Sequence, residues 1–153
     1  QAAAVKRVIG QVGLTERARV RIAKLSGGQR KRASVAVELL ARPAVLFLDE
    51  PTSGQDPHLE ESMMQLFREL AGHGTTVVVT THAMANVELL DLVVLLKDGH
   101  VVYVGPPQEL LAFFDSRSYE GVFKCLAAEP ASHWLQRFYK SQLFRQYVAG
   151  RAS

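Results

Sequence analysis

The 153-residue chain is long enough to bury one hydrophobic core, and its 48% hydrophobic and 22% charged residues are those of an ordinary globular domain. Eighteen Lys and Arg against 15 Asp and Glu leave a net charge of +3, too small and too scattered to argue for a nucleic-acid partner. The single cysteine, Cys125, excludes an internal disulfide, no apolar run approaches the roughly 18 residues that span a bilayer, and the charges inside QAAAVKRVIGQVGL exclude a secretory signal. The chain reads as soluble and cytoplasmic.

In AVKRVIGQVG, Val5, Val8 or Ile9, and Val12 recur at helical intervals, which predicts a short amphipathic helix closed by Gly13. Ser26 to Gln29 has the Ser-x-x-Gln form of a reciprocal helix cap. A helix follows through RKRASVAVELLA, with Ala33, Ala36 or Val37, and Leu40 on its inner face and Pro43 as its stop. AVLFL is apolar at every position, as a strand buried on both faces of a parallel sheet would be. Asp56-Pro57 opens the next helix, with Leu59, Met63, Leu66 and Leu70 facing inward and Gly72 and Gly74 at its end. TTVVVTT is a second β-branched strand, ending at His82. AMANVELL reads as a short helix, and DLVVLL and HVVYV around Lys97-Asp98-Gly99 read as a hairpin. PPQELLAFFD is a helix entered through proline, and the tail from Ser132 to Ala149 is amphipathic, with Trp134, Leu135, Phe138 and Tyr139 clustered. Strand–helix alternation predicts an α/β fold with a parallel sheet and flanking helices, followed by a C-terminal hairpin and a helical tail.

Two adjacent acids, Asp49 and Glu50, stand at the carboxyl end of AVLFL, where open parallel sheets place ligands. Like charges side by side suit a magnesium ion holding phosphates for the first and an attacking water for the second; a helix cap or turn acid is the plainer alternative. Ser26-Gly27-Gly28 at a helix start offers exposed N–H groups to an anion, or is simply a capping box. His82 stands level with the acids and either touches a phosphate or is structural. Thr80 and Thr81 read as strand residues, and Arg30-Lys31-Arg32 as a solvated helix face.

Taken together, LSGGQ, a helix, LFLDEP, SGQD, a further helix and VVVTTH resemble the C-terminal half of an ABC transporter ATPase domain, over roughly Gly13 to Phe114. Leu25, Ser26, Gly27, Gly28 and Gln29 match the family's signature motif; Val45 to Asp49 match the Walker B strand; Glu50 matches the catalytic glutamate. Ser53, Gly54 and Asp56 fall in the D-loop and His82 matches the switch histidine. The resemblance implies a P-loop NTPase (RecA-like) fold and nucleotide contacts from Leu25 to Gln29 and from Ser53, Gly54 and Asp56. It further implies Mg2+ at Asp49, with catalytic roles for Glu50 and His82. It also implies ATP, a second ATPase domain in a head-to-tail dimer, and a transmembrane domain in the parent protein at the cytoplasmic face of a membrane.

GGQRKRASVAVELL, DEPTSG and VVYVGPPQELLAFF look like G-type transporters, and the tail resembles the linker of bacterial members, some of which carry forkhead-associated domains. Residues 1–115 are then expected to be the ATPase part and 116–153 a helical linker. Gln55 stands where the family usually has leucine, and THAMAN lacks the usual Gln-Pro-Ser after the histidine. The sequence contains no G-x-x-x-x-G-K-[ST], so the chain is expected to be part of the domain without its Walker A half, inactive alone. The competing readings are a soluble ABC ATPase of DNA repair or translation, and a non-catalytic interaction module.

Overall fold

The computed structural model describes residues 2–151; Gln1, Ala152 and Ser153, at the outer ends of the two expected segments, lie outside it. The chain divides into two compact units, one up to Ala83 and one from Met84 onward.

In the first unit, α1 (Ala2–Gln11) ends at Gly13, whose φ of +69° is the left-handed turn that glycine makes cheaply. Two short 3-10 turns lead to α2 (Gly27–Leu39), β1 (Val45–Asp49), α3 (Pro57–Gly72) and β2 (Thr76–Thr80). β1 and β2 pair in parallel from Val45↔Thr76 to Asp49↔Thr80, with α3 as the crossover. Met63, Met64, Leu66, Phe67 and Leu70 of α3 are buried, close to the face expected from the sequence.

The apolar runs are less enclosed than their composition implies. Of β1, only Leu46 is buried; Val45 is 44% and Phe47 76% exposed. A two-stranded sheet shows alternate residues to solvent, and β1 and β2 are the whole of this sheet among the described residues. In α2 the buried residues are Gly28, Val35 and Leu39, whereas Val37 is 62% exposed and Leu40 is exposed. Both faces of this helix carry aliphatic residues, so periodicity alone does not select between them. Val37 and Leu40 instead line an open apolar groove with Val5, Ile9 and Ile22.

In the second unit, the expected helix over AMANVELL is a 3-10 turn at Val87–Leu89, entered through Asn86 in the left-handed conformation. A helix cannot propagate through that backbone, and one 3-10 turn is what remains. β3 (Val93–Lys97) and β4 (His100–Gly105) form the antiparallel hairpin, with Asp98 (φ 50°) and Gly99 (φ 77°) both left-handed at its turn. That is the turn whose twist matches paired strands. Four helices follow: α4 (Pro107–Phe113), α5 (Tyr119–Ala128), α6 (Ala131–Lys140) and α7 (Gln142–Tyr147). The tail divides at Ser141, whose hydroxyl donates to the Phe138 carbonyl and accepts from the Phe144 N–H, capping α7.

α6 and α7 pack on β4. Between them Tyr103, Phe113, Phe114, Trp134 and Phe138 form a continuous aromatic core, with ring centroids 4.7 Å apart for Phe114–Trp134 and 4.9 Å for Phe113–Phe114. Tilted and edge-on pairs of this kind add to simple burial. Burial pushes the Tyr103 hydroxyl's pKa well up, and that hydroxyl donates to the Pro106 carbonyl at 2.7 Å.

Candidate functional site

The parallel register sets Asp49 beside Thr80 at the carboxyl ends of β1 and β2. The Thr80 hydroxyl donates to Asp49 Oδ1, and the Glu50 N–H donates to both Thr80 oxygens, at 3.1 Å to the carbonyl and 3.2 Å to Oγ1. Glu50 leaves the strand with φ +45°, an uncommon conformation for a non-glycine residue that persists only where surroundings hold it. The chain then folds tightly: Ser53 N–H bonds the Glu50 carbonyl, Gln55 N–H bonds the Thr52 carbonyl, and Gly54 takes φ +71°.

The turn aims the Glu50 carboxylate at His82, with Oε1 2.8 Å from Nδ1. The Glu50 hydrogen bond, and then its charge, raise the His82 pKa above its usual value; the small desolvation that opposes them is outweighed. β2 ends at Thr80, so His82 sits two residues beyond the strand expected to hold it, with its side chain 77% exposed. Asp49 is exposed, Glu50 half-buried, and neither points into the core.

The Ser26 turn is the second part of the site. Its capping box is complete: Gln29 N–H bonds Ser26 Oγ at 3.3 Å and Ser26 N–H bonds Gln29 Oε1 at 3.0 Å. Because Oγ is used as an acceptor, its own proton stays available to a ligand. Leu25 is buried beneath, while Ser26 and Gly27 are exposed at the positive end of the α2 dipole. Gly28 is buried, and a Cβ there would meet Leu59 at 3.4 Å and the Gln55 side chain at 3.8 Å. Capping and anion binding are therefore compatible in this turn.

The basic run faces solvent only in part: Arg30 is exposed and Lys31 and Arg32 half-buried, and all three also bond the protein. Arg30 donates to the Leu25 carbonyl at 2.7 Å, Lys31 to the Ser53 carbonyl at 2.7 Å, and Arg32 to Val12 and Ser62. Lys31 thus ties the Ser26 helix to the turn after the acids, a role that no local spacing announces. Thr80, read from the sequence as an ordinary strand residue, is the group that orients both acids; only the register reveals it. Asp56 caps α3 by accepting from Leu59 N–H at 3.1 Å. Gln55 Nε2 donates to the Pro51 carbonyl at 3.1 Å, while its Oε1 is buried with no partner.

Lys31, Glu38, Asp49 and Glu50 line a cleft of about 280 Å³. Among the described residues no group of three or more His, Cys, Asp or Glu forms a closed metal cage. One carboxylate and a hydroxyl at a strand end are instead the sparse oxygen set that suits a magnesium ion completed by waters and phosphates.

A family profile described as "AAA domain, putative AbiEii toxin, Type IV TA system" matches residues 5–87, more than half of the chain. The ABC transporter ATP-binding/permease protein Rv1747 of Mycobacterium tuberculosis is 41% identical over 127 residues, covering 82% of this chain and 15% of that protein. ABC transporter G family member 20 of Dictyostelium discoideum is 42% identical over 99 residues, covering 65% of this chain and 14% of that protein. Among solved structures, cbiO1 from Clostridium perfringens, described as part of the ABC transporter complex cbiONQ, superposes with a TM-score of 0.70 at 33% identity. It covers 72% of this chain and 45% of that one. The chain spans about one-seventh of the length of each of these two sequence relatives. No described helix is long and apolar enough to cross a membrane. With 41% identity to an ABC transporter ATP-binding/permease protein over 82% of its length, and a TM-score of 0.70 to part of an ABC transporter complex, the chain belongs to the ATP-binding domain family of ABC transporters.

Proposed function

We propose that the whole protein hydrolyses ATP to drive transport across a membrane, with residues 1–115 serving as the C-terminal part of its ATPase domain and 116–153 as the linker toward a transmembrane domain. The observation that carries this reading is the Asp49–Thr80 and Glu50–His82 pairing at the ends of two parallel strands. The similarity to an ATP-binding/permease protein and to a G family member supports a G-type arrangement; in this reading the domain lies at the cytoplasmic face and pairs head to tail with a second ATPase domain.

In this reading Ser26 donates its hydroxyl proton, and Gly27 and Gly28 their N–H groups, to the terminal phosphate of a nucleotide held by the partner domain. Leu25 seats the turn, Gln29 caps it, and Ser53, Gly54 and Asp56 shape the loop that lies beside the nucleotide. Asp49, oriented by Thr80, would hold Mg2+, which neutralises phosphate charge when bound. Glu50 accepts a hydrogen bond from the attacking water and orients it. His82, hydrogen-bonded to Glu50 through Nδ1, is placed to meet the phosphate. Phosphoryl transfer needs positioning and charge stabilisation of this kind more than covalent help.

The test is Glu50→Gln in the complete transporter. It keeps the shape and removes the charge, and is expected to lower kcat about 10²–10³-fold while leaving ATP binding intact. A wild-type rate in that variant would remove Glu50 from the reaction.

A further inference from the structure

Glu50 is held from two sides. Before it, the strand register fixes its N–H on Thr80. After it the backbone reverses, and four successive carbonyls are occupied. Ser53 N–H bonds the Glu50 carbonyl at 3.1 Å and Gln55 N–H bonds that of Thr52 at 3.2 Å. Gln55 Nε2 bonds the Pro51 carbonyl at 3.1 Å and Lys31 Nζ bonds that of Ser53 at 2.7 Å. Two of these donors come from the turn's own backbone. The other two are side chains, so the path of the segment depends on which residues stand at positions 55 and 31.

Gln55 is the more telling of the pair. Its Oε1 is buried without a donor, a cost that an apolar side chain of similar size would avoid. Neither solvent nor a ligand reaches that oxygen. Turning the amide over would set it against the Pro51 carbonyl, oxygen to oxygen. What the amide adds is therefore its N–H, delivered to the residue that follows Glu50. The same side chain lies beneath the signature turn, where a Cβ on buried Gly28 would meet Gln55 Oε1 at 3.8 Å and Leu59 at 3.4 Å. Lys31 reaches the segment from the helix that this turn begins.

A φ of +45° is costly for a glutamate and persists only where its neighbours over-determine it. We propose that Gln55 and Lys31 are positioning residues: by pinning the Pro51 and Ser53 carbonyls against the start of α2, they hold Glu50 in that conformation, with its carboxylate aimed at the water it orients. This role rests on the one given to Glu50 above and adds to it the groups that keep the carboxylate in place.

The complete transporter tests this with Gln55→Met and Lys31→Met, which keep side-chain length and delete the donor. Each is expected to lower kcat for ATP hydrolysis about tenfold, the scale of a slightly misplaced catalytic group, with the ATP dissociation constant unchanged. In single-turnover measurements on the Glu50→Gln background the same substitutions should cost less than about twofold, because the group they position is gone. An unchanged kcat in either variant, a loss of ATP binding equal to the loss of rate, or a tenfold loss that persists beside Glu50→Gln would each overturn the positioning role. A wild-type rate in Glu50→Gln alone would bring down the role of Glu50 as well, so the two failures are read separately.

Discussion

From Met84 onward, the largest side chains are sealed together: Tyr103, Phe114 and Phe138 are among the most buried in the chain. Up to Ala83 the reverse holds at the places of interest, where Asp49, Ser26 and His82 are exposed and Glu50 is held in an uncommon backbone conformation. One unit concentrates its stability in a ring cluster with no reactive group inside it. The other keeps polar side chains at a sheet end and holds them with hydrogen bonds. Groups that are to meet a ligand must be reached by it, so caps and turns hold this sheet end, while the buried packing of the unit lies along Met63, Met64, Leu66, Phe67 and Leu70 of α3.

That contrast can be broken in order of effect. Phe138→Ala should cost about 3–5 kcal/mol in the second unit, read by urea denaturation with hydrogen exchange at β4; a loss near zero would mean the rings are not what holds it. In the first unit a cap matters next: Asp56→Ala should cost about 1 kcal/mol, recovered by Asp56→Asn, because the side-chain oxygen satisfies Leu59 N–H. Lys31→Met should cost less than about 1 kcal/mol, as expected for one exposed hydrogen bond. Its clearer sign is faster exchange at the Ser53 and Gln55 amides, and unchanged exchange would remove Lys31 as a tie.

The smallest effect on stability, and the sharpest on chemistry, is the titration of His82. Glu50 raises its pKa, so the pair's contribution is complete below the ordinary histidine pKa of about 6.5 and fades as pH climbs through the raised value. NMR titration of the ring should show that raised value in wild type and a return toward the ordinary one in Glu50→Gln. A pKa unmoved by the substitution would sever the two residues.

The signals legible in the sequence were those written over three or four residues. Ser26 with Gln29 predicts a cap, Asp98-Gly99 a hairpin turn and Asp56-Pro57 a helix start, and each forms as read. The acids and His82 can be placed at one sheet end because two strands of similar length run parallel. What escapes local reading is anything set by a distant neighbour. Phe47 and Val37 are apolar yet exposed, because burial depends on what lies across the sheet or groove. Thr80 matters through a strand partner 31 positions away, and Lys31 through a turn 22 positions on. AMANVELL has helical composition, but the left-handed Asn86 interrupts it.

The two β pairings also differ in how far the chain must travel to make them. β3 and β4 meet across Asp98-Gly99, whereas β1 and β2 can pair only after α3 has carried the chain back from Val45's strand to Thr76. Closing the longer loop costs more entropy before any contact is gained, while hairpins form in about 1–10 μs. The Glu50–His82 pair, which needs both parallel strands in place, is therefore assembled late, among the slower parts of the chain to come into being.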